Sequence, residues 1–122
     1  MISTIIKSNM TVIKLEVEEG EGTDNTPIEI PKISSHTIVL ITYLPGVTDT
    51  TIFIHLPEDA VAGDLYEIMS LGTKVAITNS NVYGIAVAES KRSFLSVRKI
   101  LVTTETTDNT WIGYQSLPPS WI

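Results

Sequence analysis

The clearest periodic signal in the chain is an alternation of apolar and polar positions at period two. Thr11 to Val17 places Ile13, Leu15 and Val17 on one face and Val12, Lys14 and Glu16 on the other, the pattern of a strand with one packed side and one wet side. Stretches that alternate, or run apolar for a strand's length, recur at Thr37 to Tyr43, Thr50 to Leu56, Leu65 to Ser70, Lys74 to Thr78, Val82 to Val87, Phe94 to Thr103 and Trp111 to Gln115. They predict about eight strands. Turn formers punctuate them at Ser8-Asn9, Glu18 to Pro27, Pro45-Gly46, Leu56 to Gly63, Leu71-Gly72, Asn79 to Asn81, Glu89 to Arg92, Thr107 to Asn109 and Pro118-Pro119. This spacing predicts an all-β chain, a single-domain antiparallel β-sandwich or jelly roll occupying residues 1–122.

Two segments depart from the alternation. Ile38-Val39-Leu40-Ile41 is apolar throughout, so it is expected to be covered on both faces, as a central strand or against another subunit. Pro57-Glu58-Asp59-Ala60-Val61-Ala62 has an acidic first turn but meets Gly63 at once, leaving room for about one helical turn. Glu18 to Asn25, charged and glycine-bearing, has little to bury and is expected to be loose. No internal repeat or interdomain linker is visible.

Composition supports the β assignment. Ile, Val and Thr number 17, 10 and 16 of 122 residues, and these stiff β-branched side chains suit a pleated, half-buried surface. There is no cysteine, which excludes disulfides, thiolate metal sites and cysteine nucleophiles. No secretory signal pattern opens the chain. The longest apolar run is far shorter than the roughly 18 residues of a membrane span, so no membrane insertion is expected.

The net charge is −6 and the first half carries it: residues 1–61 hold nine acids and three bases, residues 62–122 five of each. Such a chain repels a phosphate backbone unless bases concentrate on one face. Only Lys91, Arg92, Arg98 and Lys99 approach that, and they also read as a solvated turn and strand end, so no nucleic-acid partner is expected.

Candidate chemistry is sparse. Glu18, Glu19, Glu21 and Asp24 offer oxygen ligands that Ca²⁺ accepts, but without the EF-hand spacing; an acidic surface loop is the simpler reading. His36 and His55 could act as general bases, with Ser34, Ser35 and Asp49 near in sequence. The alternative places His36 in a loop and His55 at a strand end. Glu58 and Asp59 are adjacent, where extended side chains diverge, so they suit a turn. No nucleotide-binding glycine loop occurs and no cofactor is expected. Among the aromatics, Trp111 is expected in the core of the last strand, whereas Tyr114 and Trp121, together with Ile38, Val39, Leu40 and Ile41, are candidates for an interface or ligand contact.

Ile52-Phe53-Ile54-His55-Leu56-Pro57, followed by Ala62-Gly63-Asp64-Leu65-Tyr66-Glu67-Ile68 and closed by Asn109-Thr110-Trp111-Ile112-Gly113, resembles a pattern common in bacteriophage appendage proteins: strand, Leu-Pro, acidic turn, Gly-Asp, strand and a final tryptophan strand. The resemblance implies a virion location and a small β module, joined as a homotrimer and held to other virion proteins as a head decoration, head fibre or tail fibre. Such a knob could also bind a host-surface glycan or protein. The chain has no heptad stalk or collagen-like run, so attachment would fall to residues 1–31.

Overall fold

The computed structural model describes residues 2–7, 9–18, 20–43, 51–70, 74–80, 82–84, 87–88, 94–100 and 110–116. Eleven strands are present among them: β1 (Ile2–Lys7), β2 (Met10–Val17), β3 (Ile28–Glu29), β4 (His36–Tyr43), β5 (Ile52–His55), β6 (Leu65–Ser70), β7 (Val75–Ile77), β8 (Val82–Gly84), β9 (Val87–Ala88), β10 (Phe94–Ile100) and β11 (Thr110–Ser116). No described residue is helical. In place of the expected helical turn, Pro57 to Asp64 makes two hydrogen-bonded turns, Ala60 N–H to the Pro57 carbonyl and Asp64 N–H to the Val61 carbonyl, and Gly63 has a φ of +98° that favours glycine.

The strands form a seven-stranded sheet in the order β1-β2-β4-β6-β10-β11-β8 and a four-stranded sheet in the order β3-β5-β7-β9. From β2 to β9 the chain visits the two sheets in turn. From β2 to β7 consecutive strands of one sheet are thus separated by a strand of the other and come back in the same direction. The pairs β2/β4, β4/β6, β3/β5 and β5/β7 are accordingly parallel. The expectation of an antiparallel fold is corrected here: only β1/β2, β6/β10, β10/β11 and β7/β9 are antiparallel, and β8/β11 is again parallel. Parallel neighbours need a long crossover, and in this chain the crossover is a strand in the opposite sheet.

The period-two reading of Thr11 to Val17 holds in detail. Ile13, Leu15 and Val17 are buried in the core, while Lys14 and Glu16 are exposed. Across the parallel register Ile13 stands beside Val39, and Val39 beside Ile68. The smaller sheet supplies Ile52, Ile54, Val75 and Ile77 to the same hydrophobic cluster, so the two sheets share one core. Burying each such side chain contributes about 1.5–3 kcal/mol.

Two expectations change on inspection. The Ile38 to Ile41 run does lie in a central strand, yet only Val39 and Ile41 are fully buried, and Ile38 and Leu40 stay partly exposed on the opposite face. The acidic segment is pinned rather than loose: Gly22 is buried, its carbonyl accepts the Phe53 N–H at 2.8 Å, and a Cβ there would stand 2.9 Å from Ile52. Within residues 1–31, β1 and β2 belong to one sheet and β3 to the other. The turns at 45–46, 71–72, 89–92, 107–109 and 118–119, and residues Asp49, Lys91, Arg92, Asn109 and Trp121, lie outside the described residues.

Candidate functional site

The pieces of the strand, Leu-Pro, acidic turn, Gly-Asp and tryptophan pattern converge at one end of the molecule. Asp64 closes the turn: its Oδ2 accepts the Val61 N–H at 3.0 Å, and its own N–H donates to the Val61 carbonyl at 3.0 Å. The turn then docks on β10, with Lys99 N–H donating to the Asp64 carbonyl and Gly63 N–H to the Lys99 carbonyl. The Asp64 carboxylate is almost wholly buried and pairs with the Lys32 ammonium at 3.2 Å. Lys99 lies opposite Trp111 in the β10/β11 ladder, and its Nζ sits 5.0 Å above the indole. The Trp111 ring in turn meets Tyr66 edge to face, with centroids 5.8 Å apart.

Burial governs the titration of this cluster. It pushes the Tyr66 hydroxyl well above its ordinary 10.0, and the nearby Asp64 and Asp59 charges add to that. It holds the Lys99 ammonium below its usual value, against the opposing pull of Glu58 and Asp64. The Tyr66 hydroxyl has no hydrogen-bond partner among the described residues. Tyr66→Phe is therefore expected to leave stability at neutral pH unchanged or raise it by up to about 1 kcal/mol. The linkage has a definite sign. Above pH 10 the unfolded tyrosine ionises while the folded one resists, so wild-type stability falls as pH rises past that point, and the variant loses this component. Urea titrations at pH 7 and pH 11 check both halves.

Both histidines have partners. His36, expected in a loop, instead opens β4, and its Nε2 is hydrogen-bonded to Glu67 Oε1 on β6. Ser34 donates its hydroxyl to the His36 carbonyl and does not engage the ring. His55 ends β5 as expected. Its Nδ1 lies 2.9 Å from Thr78 Oγ1 and its Nε2 2.7 Å from Glu58 Oε1. This hydroxyl, imidazole and carboxylate row resembles a nucleophile relay in its order alone. Thr78 Oγ1 is also 3.1 Å from the Ile54 carbonyl, which competes for its proton. The neighbouring Asn79 amide pairs with both backbone groups of Leu56, at 2.7 and 3.0 Å. These contacts tie the end of β7 to the end of β5, which is a structural task.

The metal-ligand reading gains nothing from the geometry. Glu21 Oε1 accepts the Glu18 N–H at 3.0 Å, Glu19 lies outside the described residues, and no group of three potential ligands gathers among the described residues. Nor do the bases share a face. Arg98 points outward and is exposed, whereas Lys99 is buried over Trp111.

The outward face of the seven-stranded sheet is more distinctive. Its rows run Ile5–Val12–Ile38–Glu67–Ser96–Tyr114, Lys14–Leu40–Met69 and His36–Leu65–Arg98–Ile112. Ile5, Ile112 and Tyr114 are 57, 42 and 50 % exposed. Of the sequence candidates for an interface, Ile38, Leu40 and Tyr114 thus share one surface, while Val39 and Ile41 point into the core. Sequence spacing alone missed Ile5, Val12, Met69 and Ile112: the parallel registers that set Val12 beside Ile38 and Leu40 beside Met69 join residues more than twenty positions apart, and Ile5 and Ile112 enter the same face through the antiparallel ladders of β1 and β11. Compared with protein families, with curated proteins and with solved structures, the chain matches none.

Proposed function

We propose that the chain is a non-enzymatic structural module of a virus particle, a bacteriophage capsid decoration or fibre and tail component. Its two sheets act as a β-sandwich or jelly roll, and it joins copies of itself and neighbouring virion proteins through sheet surfaces, as a homotrimer. The observation that supports this reading best is the outward face of the large sheet, where Ile38 and Leu40 on β4 and Ile112 and Tyr114 on β11 stand clear of the core with Glu67, Ser96 and Arg98 on the strands between them, a mixed apolar and polar surface of the kind found at protein contacts. The hydrogen bonds that engage both histidines are consistent with a role that needs no chemistry. The half-exposed Tyr114 beside Ser96 favours a second reading, a knob that stacks a host-surface glycan on its aromatic ring.

Light scattering of the purified chain tests the first reading. A mass of about 40 kDa, three times the 13.4 kDa chain, or a multiple of it is expected. Ile38→Lys with Tyr114→Ser should remove the threefold association, leaving no more than two chains together, with an unchanged β spectrum. A wild-type chain that stays at 13.4 kDa at every concentration, or one that turns over a substrate alone, rejects the proposal. Glycan binding lost on Tyr114→Ala, with the mass unaltered, would select the knob.

A further inference from the structure

We propose that β1 is a self-docking strand: two copies of the chain pair their β1 edges antiparallel about a two-fold axis, with Thr4 facing Thr4 of the second copy and Ile2 facing its Ile6. This contact is separate from the outward face and does not depend on the trimer.

The argument begins with an overhang. Ile2, Thr4 and Ile6 pair with Leu15, Ile13 and Thr11 and so point to the same side as those residues. Their partners on β2 are buried beneath the second sheet, yet Ile2 and Ile6 are 48 and 61 % exposed. The four-stranded sheet therefore covers β2 and stops short of β1. What lies beside the overhang is a hollow between Ile2 and the Gly20 to Glu29 segment.

An uncovered edge of this kind is normally blunted by charges, proline or a bulge, or else it pairs. β1 has no proline, pairs with β2 without interruption, and carries only Lys7 as a charge. Its occupant is indicated by length and charge. The described sheets have four edge strands, β1, β8, β3 and β9, of six, three, two and two residues. Among them only a second β1 can match all of β1. Residues 1–15 also contain no acid in a chain of net charge −6, so copies can approach there without the mutual repulsion of their acidic surfaces.

Symmetry then restricts the register. A two-fold axis relating antiparallel neighbours in one sheet stands perpendicular to it, so the overhangs of both copies face the same side and even-numbered residues oppose even-numbered ones. Centring the axis on Thr4 pairs Ile2 with Ile6 in both directions. It joins two half-covered overhangs into one apolar floor of four isoleucines, flanked by the Gly20 to Glu29 segments of the two copies. Directly opposed residues on neighbouring strands hold their Cβ atoms about 4.5–5.5 Å apart, close enough for a cysteine pair at the axis to bridge after a small adjustment.

Because the chain lacks cysteine, Thr4→Cys is a single-site probe. Under mild oxidation it should form a covalent dimer at least about tenfold faster than Val61→Cys, a control on the exposed turn, and Ile6→Lys in the same chain should abolish the difference. Sedimentation of the wild type should detect the two-fold contact, weakened about tenfold or more by Ile2→Lys with Ile6→Lys. Cross-linking of Thr4→Cys no faster than Val61→Cys, or a mass indifferent to the lysine pair, overturns the proposal. A trimer indifferent to Ile6→Lys but dissolved by the outward-face substitutions would uphold the trimer and reject this contact. A dimer halved by Ile6→Lys and indifferent to those substitutions would do the reverse.

Discussion

Trp111→Ala should cost about 4 kcal/mol of stability, the upper part of the range for emptying a large aromatic site. The indole is 0 % exposed and forms the floor of the cluster under the Pro57 to Asp64 turn, with Tyr66 at its edge and Lys99 over its face. Removing it leaves a cavity and forfeits the edge-to-face and cation–π contacts. It also takes the aromatic face from beneath the Lys99 ammonium. Since a domain of this size is stable by about 5–15 kcal/mol, the variant should be partly unfolded at 37 °C. Trp111→Phe should cost much less, about 1–2 kcal/mol, because Nε1 has no hydrogen-bond partner among the described residues to lose. Urea unfolding followed by far-ultraviolet circular dichroism measures both. A loss below about 1 kcal/mol for the alanine variant would show that the turn cluster does not rest on this ring.

The contrast between Trp111 and the rest of the chain indicates which features local sequence can specify. Burial of Trp111, the alternation of Ile13, Leu15 and Val17, the end of a strand at His55 and the turn at Gly63 all follow from period, propensity or backbone conformation within a few residues. Strand direction does not. A half-buried strand alternates in the same way whether its neighbour is parallel or antiparallel, so nothing between Met10 and Ser70 announces that β2, β4 and β6 run together. β1 was concealed for a related reason. Ile2 to Lys7 has isoleucines on both faces and no clean alternation, because most of the strand is exposed and no core enforces a pattern. β3 and β9 have two residues each, too short for any period to register.

The candidate surface was legible in the same partial way. The Ile38 to Ile41 run marked an unusual strand, but the division of that run between core and outward face depends on pleat and register. The pairing of His36 with Glu67 across 31 positions depends on the β4/β6 ladder. Sequence nearness had instead set His36 beside Ser34, whose hydroxyl binds the backbone. In a fold whose chain alternates between sheets, the residues that share a surface are about one full circuit apart, and a window of ten residues contains none of that information.

Asp64→Ala should be the second severe substitution, at about 2–4 kcal/mol. One carboxylate, 3 % exposed, serves three groups through the turn it closes: it accepts the Val61 N–H, holds Lys32, and fixes the backbone that receives Lys99 from β10. Alanine would leave the Val61 N–H without that acceptor and Lys32 with the Asp59 carbonyl, at 3.3 Å, as its partner among the described residues. Asp64→Asn keeps an acceptor of the same shape and loses the charge, so it should cost roughly half as much. The Lys32 side chain is 26 % exposed, which screens the ion pair, so a double-mutant cycle with Lys32→Ala should assign only about 1 kcal/mol to the charge interaction itself. The remainder belongs to the turn. If the cycle instead returned the whole loss as coupling to Lys32, the seal on this end of the core would be electrostatic. Asp64→Asn would then be as damaging as Asp64→Ala, and the hydrogen bond to Val61 would have no measurable part in it.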